Sequence, residues 1–214
     1  MTMKIKEGQP IVFVIDDDVA VREGVEDLLR SVGLEVRSFR TAQDFMRDER
    51  PDAPACLVLD VRLPGMSGLE FRRKLAKSDV HLPIIFLTAH ADVPMSVEAM
   101  KSGAIEFLTK PFREQQLLDA VQVGIERDRA RRQDSAAVAE LQKRLDSLTS
   151  RERDVLKLVI SGRVNKQIAA DLGVSDMTVK IHRSHVMRKM RAKSLIELVR
   201  MADKIGISAR VSTG

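Results

Sequence analysis

Residues 11–24, IVFVIDDDVAVREG, run from an unbroken apolar stretch straight into three consecutive aspartates. A short apolar run followed by valines at helical spacing predicts a buried strand that leads into a helix. Asp16, Asp17 and Asp18 would then stand together at the carboxyl end of the strand, where their like charges repel. A chain that keeps three carboxylates there needs partners for them, so the triplet marks a candidate binding site.

The same alternation continues through the first 125 residues. Four more short apolar runs follow, and amphipathic stretches separate them. Continuous apolar runs that alternate with amphipathic helices are typical of βα units around a parallel sheet buried on both faces. The sequence therefore predicts an α/β fold with a doubly wound, five-stranded parallel sheet. The predicted strands are IVFVI (11–15), LEVRSF (34–39), ACLVL (55–59), PIIFLT (83–88) and AIEFLT (104–109).

Polar residues also follow other strands of this predicted sheet. Asp60 follows the third strand, Thr88 ends the fourth and Lys110 follows the fifth. Because open parallel sheets bind ligands at the carboxyl ends of their strands, these side chains should meet the aspartates at one rim. Carboxylates, a backbone carbonyl and water suit Mg²⁺, and a carboxylate beside such an ion can attack a phosphoryl group. The set is sufficient for phosphoryl transfer onto Asp60.

Charge divides the chain into two halves of opposite sign. Residues 1–125 hold 16 Lys and Arg against 20 Asp and Glu, and residues 126–214 hold 20 against 11. A net charge of −4 followed by one of +9 predicts two modules with different partners. The single cysteine, Cys56, excludes an internal disulfide framework. No apolar run reaches the ~18 residues of a membrane span and no signal peptide is evident, so we expect a cytoplasmic protein without a membrane partner.

Residues 112–146 have a helical pattern. Their middle, ERDRARRQDSA (126–136), lacks an apolar face, which predicts a solvated helix or a linker. This part of the chain ends in an apolar seam, a set of residues at three- and four-residue steps on one side of the helix. Such a seam fits a short coiled coil and equally a helix that packs on its own domain, and both interpretations stay open. The seam consists of Val138, Leu141, Leu145 and Leu148.

The last 66 residues are helical in pattern up to the tail ISARVSTG (207–214), which has no pattern. Thr149, with Glu152 three residues later, predicts a capping box at the start of one helix. Two further helices are split by LGVS, with Ser175 as the expected N-cap of the second, and SLIELVRMADKIG predicts a fourth. Two helices joined by a tight glycine-bearing turn, on a basic domain, indicate a helix-turn-helix. The sequence therefore predicts that the C-terminal part of the chain folds as an all-α, four-helix domain.

The second helix of this motif, residues 176–190, can be phased by its apolar side. Val179, His182, Val186 and Met190 share that side, so the opposite side should enter the major groove of double-stranded DNA. The predicted groove-facing residues are Lys180, Ile181, Ser184 and Arg188, and the predicted phosphate contacts are Lys166, Thr178, Arg183 and Lys189.

A competing hypothesis is a phosphoacceptor domain that acts mainly as an enzyme or phosphate relay, with a basic domain that binds RNA or protein. A haloacid-dehalogenase-type phosphatase also forms an aspartyl phosphate, but it carries a second aspartate where this chain has Arg62. Readers of single-stranded RNA usually stack bases on aromatic side chains, and residues 126–214 contain no Phe, Tyr or Trp. A relay histidine should lie exposed on a helix beside an acid, and His81, His90, His182 and His185 lack that context. His182 and His185 could bind a metal, but no third ligand is evident.

The segments VIDDD, LVLDVRLPGMSG, FLTAH and FLTKPF, in this order, resemble the receiver domain of bacterial response regulators. The stretch LTSRERDVLKLVISGRVNKQIAADLGVSDMTVKIHRSHVMRKM resembles the LuxR-type helix-turn-helix. Together they make the chain similar to the NarL/FixJ class, nearest its FixJ branch. The resemblance implies a flavodoxin-like receiver at residues 9–125, a helical linker at 126–144 and a DNA-binding domain at 145–208.

The resemblance also implies a role for each polar residue at the rim. Asp60 is the implied phosphoacceptor, Lys110 and Thr88 contact the phosphoryl group, and Thr88 with Phe107 forms a switch pair. Asp18 falls outside the matched acidic pair and is expected to cap the first helix. The implied Mg²⁺ ligands are Asp16, Asp17, Asp60 and the backbone carbonyl of Arg62.

The implied function is transcription regulation rather than enzymatic catalysis. A sensor histidine kinase would phosphorylate Asp60, and phosphorylation would control homodimerisation and binding to double-stranded promoter DNA. RNA polymerase is a further implied partner.

Overall fold

The computed structural model of the chain describes residues 8–78, 80–89, 93–101 and 103–207. Two compact units divide the chain, Met1–Arg132 (unit 1) and Gln133–Gly214 (unit 2). Unit 1 contains a parallel sheet with helices and unit 2 is helical, so the predicted fold class is confirmed. Among the described helices, none combines the length and the hydropathy needed to cross a membrane.

Unit 1 is built on a five-stranded parallel sheet with the strand order β2-β1-β3-β4-β5. Its strands begin and end within two residues of the predicted runs, which confirms the sheet read from the apolar pattern. The strands are β1 (Ile11–Ile15), β2 (Glu35–Phe39), β3 (Ala55–Asp60), β4 (Ile84–Thr88) and β5 (Glu106–Thr109).

Helices connect the strands of unit 1. The sequence did not predict α2, a short helix that begins where Thr41 Oγ1 accepts the backbone N–H of Asp44 at 3.1 Å. The fifth helix continues beyond unit 1 into unit 2. The helices are α1 (Val19–Ser31), α2 (Ala42–Arg47), α3 (Gly68–Leu75), α4 (Val93–Lys101) and α5 (Glu114–Asp146).

Both faces of the sheet are buried, which explains why its strands are apolar without alternation. In β1, Phe13 and Ile15 belong to the core layer on one face, and Val12 and Val14 belong to the layer on the other. Successive side chains of a strand point to opposite faces, so each layer receives every second residue. The sheet is thereby held rigidly on both sides of the rim that carries the aspartates.

Unit 1 extends past residue 125 because a buried carboxylate holds α5 against β3. Asp128 is fully buried and accepts the backbone N–H of Ala55 at 3.0 Å. Arg131 and Arg132 each pair with the same carboxylate at 2.7 Å. Residues 126–136 lie in α5 and most of their side chains are exposed, as expected of a solvated helix, whereas Asp128 forms a buried polar anchor that the sequence did not predict.

The described residues of unit 2 contain the end of α5 and four further helices. Leu145 and Leu148 belong to the core of unit 2, so these two residues of the predicted seam pack within their own unit. The predicted caps are confirmed, since Thr149 and Glu152 form a capping box and Ser175 Oγ accepts the N–H of Thr178. The four helices are α6 (Ser150–Ile160), α7 (Asn165–Leu172), α8 (Asp176–Met190) and α9 (Leu195–Lys204).

Candidate phosphoacceptor site and nucleic-acid interface

Three aspartates form one acidic cluster at the carboxyl ends of β1 and β3. β1 pairs with β2 on one side and β3 on the other, so the strand order reverses beside it, where open sheets bind ligands. Asp16 and Asp17 follow β1, and Asp60 ends β3. One carboxylate oxygen from each residue lies within 4.8 Å of the others. The predicted acidic residues are therefore close enough to share a cation.

Lys110 bridges two of these carboxylates. Its Nζ donates to Asp16 Oδ2 at 2.6 Å and to Asp60 Oδ2 at 2.8 Å. Burial raises the pKa of Asp16, and the hydrogen bond and charge of Lys110 partly oppose this rise. Burial alone would lower the pKa of Lys110, but its hydrogen bonds and proximity to Asp16 and Asp60 raise it above the usual value. Lys110 therefore remains an ammonium and directs its charge at the oxygens of Asp60.

The triplet at the end of β1 divides between two roles. Asp18 Oδ1 accepts the backbone N–H groups of Ala20 and Val21, so this residue caps α1 as expected. Asp17 is exposed, and its carboxylate has no hydrogen bond or ion pair in the described part of the chain. Three carboxylates thus face one ammonium. Their excess negative charge and hard oxygen atoms fit Mg²⁺.

The loop after β3 passes very close to the backbone of Asp60. The N–H of Arg62 donates to Asp60 Oδ1 at 2.9 Å, and the N–H of Gly68 donates to the carbonyl of Val61 at 2.8 Å. A Cβ on Gly68 would lie 2.3 Å from the carbonyl oxygen of Asp60 and 3.1 Å from Val61 Cα. Backbone atoms cannot give way as a flexible side chain can, so only glycine fits at the start of α3.

We expect Gly68→Ala to destabilise unit 1 by about 1–3 kcal/mol, because the loop must shift to admit the methyl group. The shift would also move Asp60, so the rate of phosphoryl incorporation from acetyl phosphate should fall. Gly24→Ala is the matched control, since a Cβ at this position in α1 meets nothing within 4 Å. It should leave phosphorylation unchanged and stabilise α1 by about 0.5–1 kcal/mol. Urea unfolding and phosphorylation assays on both variants would contradict this expectation if the two substitutions behaved alike.

The predicted switch residues lie on one face of the sheet. Thr88 pairs in register with Thr109, and Phe86 pairs with Phe107, so Thr88 and Phe107 are diagonal neighbours on adjacent strands. Thr88 is fully buried, and the half-buried ring of Phe107 contacts that of Phe86 with centroids 6.4 Å apart. The backbone N–H of Lys110 donates to the Thr88 carbonyl at 2.7 Å, which connects the end of β4 to the residue that follows β5.

The observed side-chain exposure of α8 agrees with its predicted phase. Val179, Val186 and Met190 are fully buried in unit 2, and His182 is half-buried beside them. The opposite side of the helix carries exposed residues, of which Ile181 keeps half of its surface in solvent although it is apolar. The exposed residues on that side are Lys180, Ile181, Ser184 and Arg188.

The four predicted phosphate contacts differ in their surroundings. Lys166 is exposed on α7, and Thr178 lies at the N-terminus of α8 with its hydroxyl 2.8 Å from Ser175 Oγ. Arg183 donates to Asn165 Oδ1 at 3.0 Å, which joins α8 to the start of α7. These three residues remain compatible with phosphate contact.

Lys189 is engaged inside unit 2 instead. Its Nζ donates to Glu152 Oε2 at 2.6 Å and to the carbonyl of Ser147 at 3.1 Å. Glu152 is only 3% exposed, so the ammonium neutralises a buried carboxylate. We therefore remove Lys189 from the predicted DNA-contacting set, because releasing it to a phosphate would leave Glu152 buried and unpaired.

The structure also corrects the interpretation of the histidines. His185 lies half exposed on α8 with its Nδ1 3.4 Å from Glu152 Oε1, so one histidine does lie beside an acid on a helix. His90 lies outside the described residues. The capping box predicted Glu152 as a local cap, but nothing in the sequence indicated that Glu152 would also contact α8.

Both units are similar to known families. Residues 12–122 match the model of the response regulator receiver domain, and residues 146–202 match that of bacterial regulatory proteins of the luxR family. Nodulation protein W from Bradyrhizobium diazoefficiens is 54% identical over 199 residues, which cover 93% of this chain and 88% of that protein. Transcriptional regulatory protein FixJ from Azorhizobium caulinodans is 45% identical over 197 residues, which cover 92% and 93%. The solved structure of the response regulator StyR is 50% identical and superposes with a TM-score of 0.82 over 92% of this chain and all of that one.

Proposed function

The chain is a response regulator of the NarL/FixJ class, with a receiver domain and a LuxR-type DNA-binding domain, and from this premise we propose that phosphorylation of Asp60 controls promoter binding by unit 2. The observation that carries the proposal is the bridge from Lys110 Nζ to Asp16 Oδ2 and Asp60 Oδ2. The bridge places the positive charge of Lys110 beside Asp60, the carboxylate that ends β3. The proposed domain bounds are 9–125 for the receiver, 126–144 for the linker and 145–208 for the DNA-binding domain.

The proposed reaction is transfer of a phosphoryl group from a phosphohistidine of the sensor kinase. A carboxylate oxygen of Asp60 attacks phosphorus, the P–N bond to the imidazole breaks, and the imidazole leaves with the bonding electron pair. The product is an acyl phosphate on Asp60. Lys110 donates to the phosphoryl oxygens, and the Arg62 N–H holds the carboxylate in orientation through Oδ1.

The acidic cluster is the proposed Mg²⁺ site. Asp16, Asp17 and Asp60 would hold the ion together with the backbone carbonyl of Arg62, and Mg²⁺ would neutralise charge that develops on the phosphoryl oxygens. Asp17 supports this assignment because its exposed carboxylate has no partner in the described residues. Asp16 supports it because its burial disfavours an uncompensated charge.

The proposed switch couples Asp60 to the face around α4, β5 and α5. Thr88 would move toward the phosphoryl oxygens, and the ring of Phe107 would fill the space that it leaves. Phe107 has no hydroxyl, so the coupling relies on packing rather than on a hydrogen bond from the ring. We propose that this face, within residues 93–125, forms the homodimer of the phosphorylated chain.

The proposed DNA reader is α8. Lys180, Ile181 and Ser184 lie exposed on one side of the helix, and residues 126–214 contain no Phe, Tyr or Trp to stack single-stranded bases. A sensor histidine kinase, double-stranded promoter DNA and RNA polymerase are the proposed partners, and the cytoplasm is the proposed location.

A binding selection tests this function. The full chain, with and without acetyl phosphate and Mg²⁺, is exposed to a pool of random duplexes, and the enriched duplexes are then used in gel shifts against single-stranded RNA. We expect phosphorylation to enrich two-half-site duplexes, to shift them at lower protein concentration and to produce a dimer in sedimentation. Equal binding of RNA and duplex would contradict the function, and an unchanged oligomeric state would contradict the dimerisation step.

Lys180→Ala should cost about 1–3 kcal/mol on the selected duplex and relax preference at one base position, because Lys180 is exposed at the start of the groove-facing side. In the free protein Lys180 pairs with Asp176 at 2.9 Å, an exposed pair that DNA can replace. Lys166→Ala is the control for a phosphate contact, and it should weaken selected and scrambled duplexes alike and lower the salt slope by about one. If Lys180→Ala weakens both duplexes equally at every salt concentration, the phasing of α8 is wrong.

A further inference from the structure

Three potential metal ligands of unit 2 converge between α6 and α8, and none of them belongs to the acidic cluster of unit 1. Glu152 lies in the first turn of α6, and His182 and His185 lie one turn apart on α8. One ligand atom from each of these residues lies within 4.8 Å of the others. Residues three apart in a helix share a side, so both imidazoles approach Glu152 together.

Glu152 is a carboxylate with one oxygen available. Both the Lys189 ammonium and the backbone N–H of Thr149 donate to Oε2, at 2.6 Å and 2.8 Å. Oε1 lies 3.4 Å from the Nδ1 of His185, so this oxygen and the imidazole can share a cation while Oε2 keeps the donors Lys189 and Thr149 N–H.

The distance between Oε1 and Nδ1 suits two ligands of one ion better than an ion pair. It measures 3.4 Å, whereas charge-assisted hydrogen bonds between nitrogen and oxygen are about 2.7–2.9 Å long. Zn²⁺ binds imidazole nitrogen and carboxylate oxygen at about 2.0–2.2 Å, and a tetrahedral angle then separates the two ligand atoms by about 3.4 Å.

His182 supports the same conclusion independently. Its Nδ1 is buried without a hydrogen-bond partner, and neither ring nitrogen bonds to protein in the described part of the chain. A buried polar atom without a partner is costly, and most such atoms in proteins have one. Coordination through this ring breaks no existing hydrogen bond of His182.

We propose that Glu152, His182 and His185 bind a borderline divalent cation, with Zn²⁺ preferred and water at the fourth position. Two histidines and one carboxylate form a ligand set that suits Zn²⁺. The nearby Lys189 ammonium opposes a cation, so the affinity is expected to be about 1–10 µM rather than that of a closed structural site. The ion crosslinks α6 to α8 and leaves the groove-facing side of α8 free. This inference is independent of the proposed phosphorylation.

The test uses the full chain without a histidine tag, in excess Mg²⁺ that fills the acidic cluster of unit 1. Co²⁺ is titrated as a spectroscopic probe and then displaced by Zn²⁺. We expect one equivalent of Co²⁺ to give the intense visible bands of a tetrahedral ion, and Zn²⁺ to abolish them. His182→Gln and His185→Gln should each weaken binding at least ~10-fold, which is typical of losing a direct ligand.

Two matched controls locate the site. His81→Gln removes an exposed histidine of unit 1, and Asp17→Asn removes an acid of the other cluster, so both should leave Co²⁺ binding unchanged. Because His185 is half exposed, its variant should fold, and circular dichroism checks this for every variant. The proposal is overturned if the wild type shows no saturable tetrahedral Co²⁺ signal. It is also overturned if that signal survives in both α8 variants or disappears in Asp17→Asn.

Discussion

Asp60→Asn abolishes phosphoryl incorporation from acetyl phosphate, with a loss of at least about 100-fold, while unit 1 keeps its fold. Asparagine has the shape of aspartate, so its amide oxygen can still accept the N–H of Arg62 in place of Oδ1, whereas its NH2 group cannot accept from Lys110 Nζ as Oδ2 does. The amide is not a nucleophile and carries no charge, so no acyl phosphate can form. Lys110 keeps its bond to Asp16, which preserves the polar interior of the site. Intact-mass spectrometry after incubation with acetyl phosphate and Mg²⁺ measures the loss.

The neighbouring aspartates provide matched controls for the same chemical change. Asp18→Asn should retain full labelling, because asparagine caps a helix about as well as aspartate and Asp18 only caps α1. Asp17→Asn should retain labelling at a reduced rate and require more Mg²⁺, because it removes a proposed ligand rather than the nucleophile. Label that persists in Asp60→Asn and maps to Asp16 or Asp17 would refute the assignment of the phosphoacceptor.

Most residues of the phosphoacceptor site could be predicted from the sequence, because they lie at the ends of predicted strands. Apolar runs fix where each strand ends, and parallel strands bring those ends together, so Asp60, Thr88 and Lys110 could be placed near the aspartates without coordinates. The apolar pattern could not show that Lys110 donates to Asp16 and Asp60 rather than to Asp17. That depends on the depth of each carboxylate, and Asp16 is buried while Asp17, its neighbour in sequence, is exposed.

Polar contacts between distant segments were the part that the sequence could not supply. Asp128 looks like one acid in a solvated charge run, yet the backbone N–H that it accepts belongs to Ala55, 73 residues earlier. Glu152 was correctly predicted as a capping residue because its partner Thr149 is three residues away. Its second partner is 37 residues away on α8, and helical periodicity carries no information on such pairs.

Lys189→Met lowers the free energy of unfolding of unit 2 by about 3 kcal/mol at neutral pH, because it strands the buried carboxylate of Glu152. Methionine retains the length and apolar stem of lysine, so the change removes chiefly the charge. Lys193→Met is the matched control, since Lys193 is exposed and its side chain has no ion pair in the described structure, and it should cost less than about 0.5 kcal/mol. Adding Glu152→Gln to Lys189→Met should recover most of the loss, because glutamine can keep the capping box.

The same pair predicts how the loss depends on pH. The pKa of Glu152 is about 2 in the folded chain, below its usual value of 4.5, so the stabilisation is fully present above about pH 5 and is lost as the pH falls toward 2. The difference between wild type and Lys189→Met should therefore shrink steadily over that interval. Met190 is fully buried in the core of unit 2, so peroxide oxidises it when this unit unfolds. Mass spectrometry of Met190 oxidation at increasing urea concentrations therefore measures the stability of unit 2 alone, in acid as well as at neutral pH. A difference that stays constant from pH 7 to pH 2 would show that the lysine stem, and not its charge, supports Glu152.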